Sequence, residues 1–193
     1  MASLGNLRAA ALAGLGGFIV IFGLVELSQL SGATLLIAPF GASCVLVFGV
    51  PQSPLAQPRN VIGGHLISTA VGLAAFAILG ATPLSLGLGV AVAIAAMLVT
   101  RTTHPPAGAD PIVAILSAAS WPFLFTPALA GAIMIVLSGV LYHRAVTRAS
   151  YPVREQRTDA TPLCAPRLHA RWRATSRALR SSDQNKIGEP PCP

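Results

Sequence analysis

Through residue 143 of 193, this chain carries only five side chains that are ionised at neutral pH: Arg8, Glu26, Arg59, Arg101 and Asp110. A soluble domain carries about 25% charged residues, whereas this chain carries 10%, against 53% hydrophobic and a mean hydropathy of +0.68. The solvent that suits such a chain is a bilayer. Its formal charge of +7 comes mostly from the last fifty residues. The pI of about 10.7 therefore points to a tail facing anionic lipid, and a nucleic-acid partner is not expected.

Six apolar runs lie at residues 9–30, 33–50, 60–80, 84–100, 103–119 and 122–142. A helix needs about 20 apolar residues to cross the hydrocarbon core. The first, third and sixth runs meet this length comfortably and the fourth marginally. The second and fifth are short and carry prolines, Pro39 in one and Pro105, Pro106 and Pro111 in the other. The fold class expected is an all-α membrane protein of about six transmembrane segments, two of them short and broken by Pro and Gly.

If all six cross and the N-terminus is cytoplasmic, Arg8, Arg59, Arg101 and the Arg144/Arg148 pair fall on the cytoplasmic side. The opposite connections carry no charge, which is the positive-inside pattern. A re-entrant second run would instead strand Arg59 and Arg101 outside. No cleavable signal follows Arg8, so the first run reads as a span that is its own insertion signal. The domain expected is 1–148, in the inner (plasma) membrane with both termini cytoplasmic.

An internal echo divides that domain. Pro39-Phe40-Gly41-Ala42-Ser43 and Pro106-Ala107-Gly108-Ala109-Asp110 both read Pro-x-Gly-Ala followed by a small oxygen-bearing side chain. Three spans per half would make residues 9–80 and 84–143 an inverted repeat, and paired Pro/Gly-broken segments are then the sequence pointer to a substrate site. A chance match in a chain this rich in Ala, Gly and Pro is the competing reading.

Residues 149–193 change character, being rich in Arg, Ser, Thr and Pro. This tail reads as largely disordered, either a solvated topology signal or, over 168–179, a basic helix on the membrane surface with Trp172 at the interface. Cys44, Cys164 and Cys192 show no framework spacing and read as free thiols.

Two stretches resemble a known family. Thr-His-Pro-Pro-Ala-Gly-Ala-Asp-Pro over 103–111 is similar to the signature of the HPP family of integral membrane proteins. So is Ser-Pro-Leu-Ala-Gln-Pro-Arg-Asn-Val-Ile-Gly-Gly-His over 53–65. The resemblance covers about 33–116. It implies membrane transport of a small anion, since members of the family are implicated in nitrite transport in plastids and cyanobacteria. Nitrite and membrane lipid are accordingly the partners expected.

Physical reasoning supplies a route to anion binding. A helix that begins inside the membrane aims free N–H groups and a positive dipole end at whatever lies there. The candidate substrate-binding residues are Gly41, Ala42 and Ser43 on one broken segment and His104, Gly108 and Ala109 on the other, with Arg59, Arg101 and His65. Arg59 and Arg101 read either as an anion-attracting vestibule or as snorkelling topology signals. His104 reads as an anion or proton site, or as a cap on freed carbonyls. His65 reads as a pathway residue or as an interior hydrogen-bonding group. Asp110 would repel an anion directly, so it is placed as a proton carrier or as partner to His65, His104 or Arg101.

His65, His104, Asp110 and Cys44 match no local ligand spacing, so neither metal nor cofactor is expected. Gly-Ala-Ser-Cys is no nucleophile elbow, so the chain is not read as an enzyme. Gly64, Ser68 and Gly72 recur every four residues, a small-residue stripe that permits close helix contact within the chain or in a homo-oligomer. A membrane-embedded assembly or sensing subunit, whose basic tail binds lipid or a protein partner, is the alternative function.

Overall fold

Prolines mark where the helices begin. A proline has no N–H to lose and a φ already suited to the first helical turn, and Pro39, Pro58 and Pro83 each open a helix. Pro105 opens a tight 3₁₀ stretch and Pro111 sits in the first turn of the helix after it. The computed structural model describes residues 4–148 and 150–153, all within a compact unit ending at Val153. The basic tail from residue 154 on, with the helix expected over 168–179, Cys164 and Cys192, lies outside the described residues.

The elements are α1 (Leu4–Ser31), α2 (Pro39–Cys44), α3 (Pro58–Leu79), α4 (Pro83–Val99), α5 (Asp110–Leu116) and α6 (Ala130–Tyr142). Widened turns extend α2 through Gly49 and α6 through Thr147, and the 3₁₀ stretch Pro105–Ala109 leads into α5. No strand occurs among the described residues. Among the described residues, three helical stretches are long and apolar enough to cross a membrane: Leu4–Ser31, Pro58–Leu79 and Trp121–Thr147. The second and fifth runs are broken. Each pairs an irregular stretch with a helix of about half the span length, the helix Pro39–Gly49 being roughly 16 Å long at 1.5 Å per residue.

The sixth run is broken as well, which its composition did not announce. Thr126 is extended, with φ −132° and ψ 115°, between Trp121–Leu124 and the helix that follows. The cause is local: the ring of Pro127 disfavours helical angles in the residue before it.

Close contacts give the direction of each run. Cβ atoms placed on Gly63, Gly64 and Gly72 would meet Thr102, His104 and Pro111 in turn, so α3 and the 102–114 segment run parallel. Gly131 faces Phe40 and Gly139 faces Val47, so α6 runs parallel to α2. α1 is antiparallel to both, with Gly16 against Phe48 and the Tyr142 hydroxyl donating to the Leu12 carbonyl. α4 is antiparallel to α3, with Arg59 against Thr100 and Gly89 against Ala75, and the short connection 50–57 turns the α2 run back into α3, so successive runs alternate up and down.

One end of the bundle gathers the connections 50–57, 100–104 and 143–153, with Arg59, Arg101, Arg144 and Arg148 among them. These connections are laced together. Gln52 donates to Ser150 O (3.0 Å), Tyr151 to Ala56 O (3.0 Å), Val153 N to Gln57 Oε1 (2.8 Å) and Asn60 to Thr103 O (2.8 Å). Burial pushes the Tyr151 phenol well above its ordinary pKa, so it stays a donor. The outer surface of the helices is apolar, with Phe18, Ile19, Phe22, Ile78, Val92, Leu98 and Leu137 exposed. In water that surface would be a liability; in lipid it costs nothing.

Candidate functional site

α3 carries His65 and Thr69 one turn apart on its buried face, and small residues let other elements reach them. A Cβ on Gly64 would lie 2.7 Å from the His104 Cβ, and one on Gly72 would lie 2.5 Å from the Pro111 Cα. Ser68, between them, donates to the Met97 sulfur at 3.6 Å. The Gly64/Ser68/Gly72 stripe is therefore filled by this chain's own 104–111 segment and α4, and is not free to face a second copy.

These approaches bring together a hydrogen-bonded chain of fully buried polar side chains. His104 Nδ1 lies 2.8 Å from the Leu55 carbonyl, and its Nε2 lies 2.8 Å from Ser43 Oγ. Ser43 Oγ is also 2.8 Å from His65 Nε2 and 3.3 Å from the Pro39 carbonyl. His65 Nδ1 is 2.7 Å from Asp110 Oδ2, which also accepts from Thr69 at 3.4 Å. Asp110 Oδ1 is buried without a hydrogen-bond partner among the described residues. Phe40 closes one side, its ring edge-on to His65 at 5.0 Å.

Hydrogen bookkeeping restricts the chain to few states. A carbonyl only accepts, so His104 Nδ1 carries a proton. Ser43 has one hydroxyl proton and faces two Nε2 atoms, so at least one of those carries a proton too. When His104 is neutral, Ser43 donates to it and His65 Nε2–H donates to Ser43. His65 Nδ1 then either donates to an Asp110 carboxylate or accepts from a protonated one. When His104 is a cation, its Nε2–H donates to Ser43, and the hydroxyl turns to His65 Nε2 or, where that nitrogen also carries a proton, to the Pro39 carbonyl.

The other sequence candidates fall elsewhere. The Arg59 guanidinium donates to Thr100 O at 3.0 Å, closing the last turn of α4. Arg101 is exposed and held at φ +55°. Both stand at the laced end, outside the buried chain. Gly41 lines an apolar groove of about 320 Å³ between α1 and α2, with Gly17, Phe18, Cys44 and Gly49, and Ala42 is also exposed. Gly108 is half-buried and Ala109 exposed. The first amides of the broken segments are used locally: Phe40 N bonds Ile37 O, Gly41 N bonds Ala38 O and Ala107 N bonds His104 O. Side chains, not helix ends, make up the polar interior.

Two partners went unread in the sequence. Thr69 was legible in principle, four residues after His65 and hence on the same face. The Leu55 carbonyl was not, because a backbone acceptor leaves no mark in the sequence. His143 is a further buried histidine, bonded to Val47 O and Thr147 Oγ1 at 2.8 Å each. Val47 lies in the widened turn that extends α2, and that turn places its carbonyl for the ring.

The model of the family described as HPP, transmembrane region, matches residues 2–152. Two Dictyostelium discoideum proteins, both named as transmembrane proteins, are 36% and 37% identical to this chain over 126 residues. Each alignment covers 61% of this chain, which spans 40% and 44% of those relatives' lengths. No solved structure matches. With the signature stretches and the broken helices in one bundle, this chain belongs to the HPP transmembrane family.

Proposed function

We infer that the protein moves a small monovalent anion across the membrane, with nitrite the first substrate to test. The observation that carries this reading is the buried chain of Ser43, His65, His104 and Asp110. Ionisable groups inside a membrane domain are costly and mark pathways for ions or protons, and apolar packing would be the cheaper way to fill that space. Family resemblance supplies nitrite as the named candidate.

The arginines give the pathway a sign. Arg59, Arg101, Arg144 and Arg148 stand at one end, and we place that end in the cytoplasm, as the positive-inside bias predicts. An anion there is drawn to a cationic mouth, then meets His104, whose charged form compensates its negative charge. Asp110 lies behind His65 and does not face the incoming ion. In this reading the motifs at Pro39 and Pro106 act as the matched halves of an inverted repeat, each giving one oxygen-bearing side chain to opposite nitrogens of His65.

The test is uptake of nitrite into proteoliposomes, with protein-free vesicles setting the background from nitrous acid crossing lipid. Saturable uptake above background, lost in His104→Ala, is the expected result. Arg101→Gln should slow uptake several-fold at low ionic strength and less at high, because attraction at the mouth is screened. Folded protein that moves neither nitrite, nitrate nor formate would overturn the reading.

A further inference from the structure

We propose that the pair of histidines bridged by Ser43 is a proton relay, and that this makes the proton the co-transported ion of the anion pathway. The proposal rests on the transport reading for its anion and on the geometry of the buried chain for its proton.

The geometry holds two states that differ only in where charge sits. In the first, His65 is a cation paired with the Asp110 carboxylate, and Ser43 donates to a neutral His104. In the second, His104 is the cation, and Ser43 donates to a neutral His65 whose Nδ1–H still faces Asp110. One state becomes the other when the His65 Nε2 proton passes to Ser43 Oγ as the serine's own proton passes to His104 Nε2. One N–H bond breaks at His65 and one forms at His104. The serine ends as a hydroxyl turned the other way. No proton is created or lost, and a unit of positive charge moves between rings whose centres are 5.0 Å apart.

Both hops run over 2.8 Å hydrogen bonds, short enough for transfer without side-chain rearrangement. The relay also has two ends. At one, the His104 cation stands below the arginine-rich connections with its Nδ1–H on the Leu55 carbonyl; that carbonyl only accepts a hydrogen bond, so the proton leaves from Nδ1 to the transported anion, the N–H bond breaking as an O–H bond forms. At the other, Asp110 Oδ1 is fully buried and unpartnered among the described residues, a free acceptor where a proton can join or leave. A structural polar cluster gains nothing from leaving that atom unpaired, since an unmet buried acceptor costs about 1–3 kcal/mol.

The titratable groups around the relay are few. From α2 come Ser43 and Cys44, the latter turned toward α1 at Gly17. From α3 comes His65, and from the 104–111 segment come His104 and Asp110. α4 presents Met97 through Ser68, and α1 presents no ionisable side chain among the buried residues. At α6, His143, Tyr142 and Tyr151 form a separate cluster about Phe48. Among the described residues, no other buried acid or base lies beside the relay than Asp110 itself.

Proteoliposomes clamped with valinomycin and loaded with a pH-sensitive dye separate the proton from the anion. Nitrite and lumenal pH are followed together, with and without nitrite outside. The expected result is acidification tied to nitrite entry in the unmodified protein. Ser43→Ala should reduce it at least tenfold, and Ser43→Thr, which keeps the hydroxyl, should restore it in part. Asp110→Asn removes the carboxylate that pairs with the His65 cation and should abolish the acidification while the protein still folds. Nitrite entry with no matching proton movement overturns the relay and leaves the transport reading standing. Proton movement without entry of nitrite, nitrate or formate, lost in Ser43→Ala, overturns the transport reading and supports the relay. Neither proton movement nor entry of any of these three anions in folded protein overturns both.

Discussion

A histidine bonded at both ring nitrogens can neither rotate nor change tautomer without disturbing a neighbour, and His65, His104 and His143 are all held in this way. For His65 the consequence is measurable. Removing its ring leaves Asp110 a buried acid with only Thr69 beside it, so His65→Ala should cost about 3–5 kcal/mol in thermal or denaturant unfolding in detergent, the usual penalty for breaking a buried pair. Asp110→Asn should cost markedly less, because the amide can donate to His65 Nδ1. Glycine positions divide as sharply. A Cβ on Gly131 would run into the Phe40 ring, whereas one on Gly87 meets nothing within 4 Å. Gly131→Ala should destabilise by about 1–3 kcal/mol through overpacking. Gly87→Ala should be neutral or stabilise by up to about 1 kcal/mol from helix propensity, and the same unfolding assay distinguishes them.

Among the elements, the proline breaks were the easiest to read, because proline acts through the backbone next to it; the caps went unread. Thr82 and Ser85 form a reciprocal capping box at the start of α4, and Thr82→Ala should cost about 1 kcal/mol of stability. The two broken segments were legible from their prolines. The third break, at Thr126, has an equally local cause in Pro127, but the surrounding run is so apolar that hydropathy alone describes one unbroken span. The site was legible by residue type and not by connection. Ser43, His65, His104 and Asp110 stood out as polar groups in apolar runs, while their order along one hydrogen-bonded chain depends on contacts between residues as far apart as Ser43 and His104. Arg59 shows the reverse, a conspicuous charge whose nearest partner is the carbonyl end of α4.

Across the bundle, the charge pattern and the alternation of directions agree: among the described residues, every connection that bears arginine lies at one end. That arrangement predicts sidedness. In a background with the native cysteines replaced, a cysteine at Thr82 or Ser120 should react with a membrane-impermeant maleimide added outside intact cells. One at Gln52 should react only after the membrane is opened. Labelling of Gln52→Cys from outside would reverse the orientation proposed here.

The same two ends also differ in how they are fastened. The arginine-bearing end is tied across elements by Gln52, Asn60, Tyr151 and Val153. The turns around Gly80–Thr82 and Ser117–Ser120 hold only bonds within themselves or to their own helices. A bundle knotted at one end and loose at the other has a fulcrum. Helices about 25–40 Å long turn a small tilt at the knot into a displacement of several ångströms at the far end, so amide exchange should be slow around 52–60 and fast around 80–82 and 117–120.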